Sequence, residues 1–443
     1  MVKANLKIIS ELKMFLDDIS KDESLRKLIT NGEHDFSRNR KLPLDRVAGI
    51  IINMPKRSLS IEIREFFDNL SKGAGCCTKG AFSLQRGKLD PLFFKVWNHW
   101  LVDNFYHYYG AKAKRWRGFI VQAVDGSTAY LLNKMEVKKY FGAQVNQHVT
   151  IPMARVMQVH DVLNDITVWG DIYPIIKSEQ SIMASRVRHL APESLTIFDR
   201  GYPGYALMYM MINEETPRHF VMRCKSTMNM EVKQFLRSKN TCKIVDLAPG
   251  KVAIETLLGY GIIVTPSTHI KVRMQKIRLP GGETEVLLTN LYDEKMYSAA
   301  DLKYLYGLRW GIETAYGKQK NQQQMEQFSG HRVICIQQDY AAGLFVANLQ
   351  SLIEKQSRRY LCKVNKQRKH VYRINRNVSW ASLKHQIVRL FLHQRPRKIL
   401  ILLQKAFERN LEAVRPGRKY PRIFKVNRLH GKYQTFTNYK RAI

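Results

Sequence analysis

Tyr306, Arg309, Glu313 and Lys320 lie in the stretch YGLRWGIETAYGKQK at offsets of 3, 4 and 7. A helix turning 100° per residue brings all four within roughly 60° of arc. Leu305, Leu308 and Ile312 supply a neighbouring apolar stripe that would dock on a core, so the polar line is not the burial face. Arg309 and Glu313 could be an ordinary i,i+4 ion pair worth a few tenths of a kcal/mol. Alternatively, Glu313 is a metal-binding carboxylate flanked by cations that hold an anionic substrate. That second reading requires further acids.

Asp125 and Asp199 are the best candidates, because each ends an apolar, strand-like run: FIVQAVDGS and SLTIFDRGY. A carboxylate at a strand's end lies where neighbouring strands aim side chains at a common point. Three carboxylates suit two divalent cations roughly 4 Å apart, one activating the attacking oxygen and one stabilising the leaving oxygen of a phosphoryl displacement. Such acids stay ionised together only if metal neutralises them. Asp125 could instead be a turn residue in DGS, and Asp199 a helix N-cap before RGYPGY. Asp161, Asp165 and Asp171 compete, but none ends so apolar a run.

The rest of the chain favours a polyanionic substrate. Lys and Arg number 73 against 37 Asp and Glu, a net charge of +36. Nucleic acid is the commonest partner for such a field. No apolar stretch approaches the roughly 20 residues needed to span a bilayer, so no membrane partner is expected. Cys76, Cys77, Cys224, Cys242, Cys335 and Cys362 lack metal-type spacing and fit reduced cytoplasmic thiols. Any metal is therefore expected on oxygen ligands, as Mg²⁺ or Mn²⁺.

The elements that must position these residues fall into blocks. Residues 1–110 read as short helices ending in the basic run AKAKRWRG. Residues 111–225 alternate strands and helices and carry Asp125 and Asp199. FIVQAVDGS should be a strand stopping at Asp125, and YALMYMMINEE a helix before the strand RHFVMRC. Residues 226–297 read as a β-rich insertion with strands at CKIVDLAPG, IIVTPST and HIKVRMQKIRLPGGETEVLLTNLYD, turning at Pro280-Gly281-Gly282. Residues 298–354 hold the helix of Glu313. Residues 355–443 form a basic, mainly helical region expected to contact phosphates.

The spacing Y-x2-R-x3-E-x6-K, met by Tyr306, Arg309, Glu313 and Lys320, resembles the signature of IS-four type bacterial insertion-sequence transposases. VDGST and IFDRGYPGY resemble that family's two aspartate motifs. KRSLSIEIREFF, TKGAFSLQRGKL and MEQFSGHRVICIQQDYAAGLFVANL extend the similarity over most of the chain. The resemblance implies an α/β fold: an RNase H-like catalytic domain interrupted by a β-strand insertion, with a helical N-terminal region and a basic C-terminal one. It implies Asp125, Asp199 and Glu313 as the DDE triad and metal ligands, and Tyr306, Arg309 and Lys320 as DNA contacts. It further implies two Mg²⁺ ions, with Mn²⁺ able to substitute. The implied partners are double-stranded DNA, as terminal inverted repeats and target, and a second copy in a homodimeric synaptic complex. The implied reaction cuts the donor through a hairpin and joins the 3′ ends to target DNA, in the bacterial cytoplasm at the nucleoid. Relatives place an aromatic residue, often Trp, in the insertion to hold a flipped base. This chain has no Trp between Gly170 and Leu308, which leaves Tyr260 or Tyr292. A DNA-binding protein derived from such an element but unable to cut, and a stand-alone RNase H-like nuclease, are the competing readings.

Overall fold

The run Ile120–Val124, apolar but for Gln122, is buried residue by residue, as a strand covered on both faces must be. It opens β1 (Ile120–Tyr130), the strand on which the site is built, in a computed structural model that describes residues 2–414 apart from 39, 54–55, 71–74, 146–149, 280–281 and 393–394. Contrary to expectation, β1 does not stop at Asp125. Antiparallel pairing with β3 (Thr150–Asp161) continues from Asp125↔Gln158 to Tyr130↔Met153. Backbone groups have partners there whatever the polarity of the side chains.

The other strands are β2 (Ala143–Val145), β4 (Ile166–Pro174), β5 (Ser194–Phe198), β6 (His219–Arg223), β7 (Cys242–Leu247), β8 (Ile270–Arg278) and β9 (Thr284–Thr289). Among the described residues they form one sheet in the order β2-β3-β1-β5-β6-β9-β8-β7, with β4 also on β3. β1, β5 and β6 are parallel; the remaining pairings are antiparallel. The 226–297 block thus extends the main sheet, with β9 covering the edge that β6 would otherwise expose. It also carries two helices absent from the β-rich reading, α10 (Met230–Arg237) and α11 (Lys251–Leu258). No strand forms at IIVTPST, where Thr265 and Thr268 close a turn around Pro266. Of the expected hairpin turn, Pro280 and Gly281 lie outside the described residues, and Gly282 has φ +89°.

Ahead of the sheet lie α1 (Val2–Lys21), α2 (Glu23–Lys27), α3 (Leu44–Ile52), α4 (Leu59–Leu70), α5 (Lys79–Arg86) and α6 (Leu92–Tyr109). Along the sheet come α7 (Met135–Phe141), α8 (Glu179–Ala184) and α9 (Tyr205–Ile212), then α12 (Ala299–Leu308) and α13 (Trp310–Asn321). The chain closes with α14 (Val333–Glu354), α15 (Arg358–Gln367), α16 (Arg376–Leu392), α17 (Pro396–Arg409) and a small ribbon of β10 (Tyr372–Ile374) and β11 (Leu411–Ala413). N-terminal and C-terminal helices share a single core built around α14. Trp97 stacks on Phe345 with centroids 4.2 Å apart and packs on Phe391. Buried Arg86 ties α5 to α14 through Asp339 at 2.8 Å and Gln338 at 2.6 Å, so the ion pair is fully hydrogen-bonded where an unpaired charge would be costly.

Candidate active site

Parallel pairing sets the first two acids side by side. The β1/β5 register ends at Ala123↔Ile197, and two residues further on it places Asp125 beside Asp199, the first residue past β5. This is the carboxyl end of adjacent parallel strands, where α/β sheets characteristically open a crevice. Each carboxylate takes one local backbone bond: Gly126 N–H donates to Asp125 Oδ1 at 3.0 Å and Gly201 N–H to Asp199 Oδ1 at 2.7 Å.

Glu313 reaches the same end of the sheet on α13. The stretch expected to be one helix is broken at Arg309, whose N–H bonds back to Tyr306 O at 3.1 Å. Gly311 lets the restarted helix approach the β3–β4 corner, since a Cβ there would lie 2.9 Å from Val162 Cγ1. Ile312, Tyr316 and Gln319 form the docking face. Tyr316 Oη donates to Asp125 O at 3.0 Å, and Gln319 Oε1 accepts from Gln158 Nε2 at 2.6 Å, so α13 is fastened to β1 and β3 at the level of Asp125.

The charges here are concentrated and only half-buried. Burial raises the Asp125 carboxyl to about 7; negative charge on Asp199, Glu179 and Glu313 adds to the rise, and Arg309 opposes it. Arg309 Nη2 donates to Glu313 Oε1 at 2.6 Å, so the i,i+4 pair exists. It is not a solvated surface pair: the Arg309 side chain is only 12% exposed, packs over Tyr306 and Trp310, and keeps its Nε without a partner among the described residues. Burial holds the Tyr306 phenol above its ordinary value. Lys320 Nζ donates to Ser127 Oγ at 2.8 Å and Thr128 O at 2.7 Å, on the continuation of β1 past Asp125. Arg309 and Glu313 thus act on Asp125, Lys320 reaches the continuation of β1, and Tyr306 lies under the Arg309 guanidinium.

A fourth carboxylate, Glu179, was not singled out by sequence. It starts α8 behind the Ser178 N-cap. Its Oε1 accepts from Arg155 on β3 at 2.5 Å, and its Oε2 from Tyr202, in the loop after Asp199, at 3.0 Å. Gly126 makes room for it, because a Cβ on Gly126 would lie 2.3 Å from Glu179 Cδ. Glu179 thus links β1, β3 and the Asp199 loop. The local sequence SEQS signals only a helix start.

The rival acids are engaged elsewhere. Asp161 accepts from Tyr106 Oη at 2.7 Å, and Asp171 pairs with Lys95 at 2.7 Å. Asp165, in a left-handed turn at φ +54°, is held by Lys318 at 2.8 Å and Arg376 at 3.0 Å. Tyr260 and Tyr292 each spend their hydroxyl on backbone, on Ser181 O at 3.0 Å and Lys271 O at 2.8 Å. Among the described residues no group of three or more His, Cys, Asp or Glu side chains is arranged to hold a metal ion, Glu313 being turned to Arg309. The six cysteines are free thiols, and no described helix is long and apolar enough to cross a membrane.

The family model for the transposase DDE domain matches residues 177–349, a span that contains Asp199 and Glu313 and begins after Asp125. The match supports a DDE-type transposase. Among solved structures, a piggyBac transposase synaptic complex with hairpin DNA is similar at 11% identity and a TM-score of 0.37, over 91% of this chain and 78% of that one. No protein of curated function matches the chain.

Proposed function

We propose that this protein is a cut-and-paste DNA transposase of the IS-four type, with Asp125, Asp199 and Glu313 as its metal-binding triad. The observation that carries this reading is the β1/β5 register that sets Asp125 beside Asp199, together with the charge of Asp199 and Glu313 acting on Asp125. The mixed unit β4-β3-β1-β5-β6 supports an RNase H-like reading of the core. The donor set is all oxygen, and burial together with the neighbouring carboxylates raises the Asp125 carboxyl, which suits Mg²⁺ or Mn²⁺. Two such ions, when bound, activate the attacking oxygen and neutralise the leaving one.

The chain's own groups do the positioning. Arg309 donates to Glu313 at 2.6 Å; were Glu313 to hold a cation, that guanidinium would be available to grip a phosphate in a bidentate fork. Tyr306 and Lys320 flank it along the same helix side and extend the grip to the strand near the transposon end. The substrates are terminal inverted repeats and target DNA, handled by a homodimer in the bacterial cytoplasm, with a hairpin between cutting and joining.

An assay with labelled inverted-repeat ends and a target plasmid tests this reading. Mg²⁺-dependent cutting followed by joining supports it. Cutting alone would indicate a nuclease, and binding alone a protein that has lost catalysis.

A further inference from the structure

Along the flank of α13 next to the active site the chain gathers positive charge that the site does not use. Two cavities, of about 680 and 610 Å³, share the wall formed by Lys112, Lys114, Leu163 and Arg358, so they make one continuous groove. Thr314 and Gly317 of α13 line it, whereas Glu313 and Lys320 of the same helix face the site.

The groove's cations come from distant parts of the sequence. Lys112, Lys114 and Arg115 belong to the basic run after α6, Lys355 follows α14, and Arg358 opens α15. Among the described residues, Lys112, Lys114, Lys355 and Arg358 form no ion pair with a carboxylate. The acids that also line the groove are already occupied. Asp165 is held by Lys318 and Arg376, Glu412 by Arg373 at 2.7 Å, and Glu354 accepts from Ser379 at 2.5 Å. Burial lowers the Lys355 ammonium below its ordinary value; Asp165, Asp161 and Glu354 oppose that shift, and Lys114 adds to it. Lys112, Lys114 and Arg358, exposed and brought together from two chain segments without a carboxylate partner among the described residues, are relieved by an external polyanion.

We propose that this groove binds the phosphodiester backbone of a duplex DNA tract separate from the strand presented to the carboxylates. The inference rests on the transposase reading for its choice of DNA, while the charge arrangement itself does not depend on catalysis. A mononucleotide would call for an enclosed pocket that buries most of the ligand. This one is an open trough whose wall carries Lys112, Lys114 and Arg358, with exposed Tyr304 beside them.

The test is fluorescence anisotropy on the full chain in EDTA, with a labelled duplex of about 30 base pairs, across a range of salt. Each phosphate contact contributes about −0.9 to the slope of log K against log salt. Lys114→Glu combined with Arg358→Glu should weaken binding at low salt by at least tenfold and flatten the slope by about two. Lys21→Glu, a reversal at an exposed residue ending α1, should leave the slope at the wild-type value. Thermal unfolding identifies any variant that fails to fold; the neutral pair Lys114→Gln and Arg358→Gln then replaces it, with the same flattened slope expected. A wild-type slope in the folded variants, or equal flattening by Lys21→Glu, overturns the groove. Because binding is read without metal, a wild-type protein that binds but never cuts would sink the transposase reading and leave this inference standing.

Discussion

Asp125 should release a proton when a divalent cation enters the site. Its carboxyl is raised from an ordinary 3.8 to about 7, by burial first and then by Asp199, Glu179 and Glu313. In the cation-free protein the folded state therefore keeps a proton that the unfolded chain has already lost between about pH 4 and 7. Stability is highest below that window and falls as pH rises through it, by at most roughly 4 kcal/mol from this one group. A bound cation requires the ionised form. At pH 6 binding should thus expel roughly 0.9 proton, and at pH 8 roughly 0.1, while apparent affinity rises about tenfold between the two. Isothermal titration with Mn²⁺ in two buffers of different ionisation heat counts the protons. Asp125→Asn should abolish the release and remove most of the pH-dependent loss of stability. Metal binding at pH 6 with identical heats in both buffers would refute the argument.

Three further outcomes are expected. Arg309→Lys should remain defective in single-turnover cleavage, because an ammonium cannot form the bidentate fork, whereas Lys320→Arg should keep partial activity; equal rates for the two would remove that distinction. Gly126→Ala should push Glu179 off its Arg155 and Tyr202 partners and slow cleavage on the order of 100-fold, the cost of roughly 1 Å of misplacement, while Glu179→Ala added to it should relieve the clash and recover thermal stability. Deleting residues 415–443, which carry nine Lys and Arg and lie outside the described residues, should flatten the salt dependence of DNA binding; an unchanged slope would place the tail off the DNA.

Much of this site could be read in the sequence, because the signals are local. Apolar runs ending in Asp125 and Asp199 mark strands of a buried sheet, and the 3, 4 and 7 offsets mark one helix side. What stayed hidden depends on pairing between distant segments. The continuation of β1 to Tyr130 is set by β3, not by its own polar residues. The joining of β9 to β6 depends on an edge that only the assembled sheet possesses. Glu179 lies 54 residues from Asp125 with no spacing rule between them, and the room that Gly126 leaves for it exists only in three dimensions. Neither the break at Arg309 nor the close approach of Gly311 to Val162 is encoded in helix periodicity.

The central claim is that Asp125, Asp199 and Glu313 act as one metal-binding unit on DNA. Single-turnover cleavage of a labelled transposon end at saturating protein tests it most directly, comparing wild type with Asp125→Ala, Asp199→Ala and Glu313→Ala in Mg²⁺. All three variants should bind the end nearly as wild type does and cut on the order of 10³-fold more slowly or not at all, because residues acting as a unit fail together. Substantial cutting by any one of them, with the protein folded and the end bound, would contradict the account.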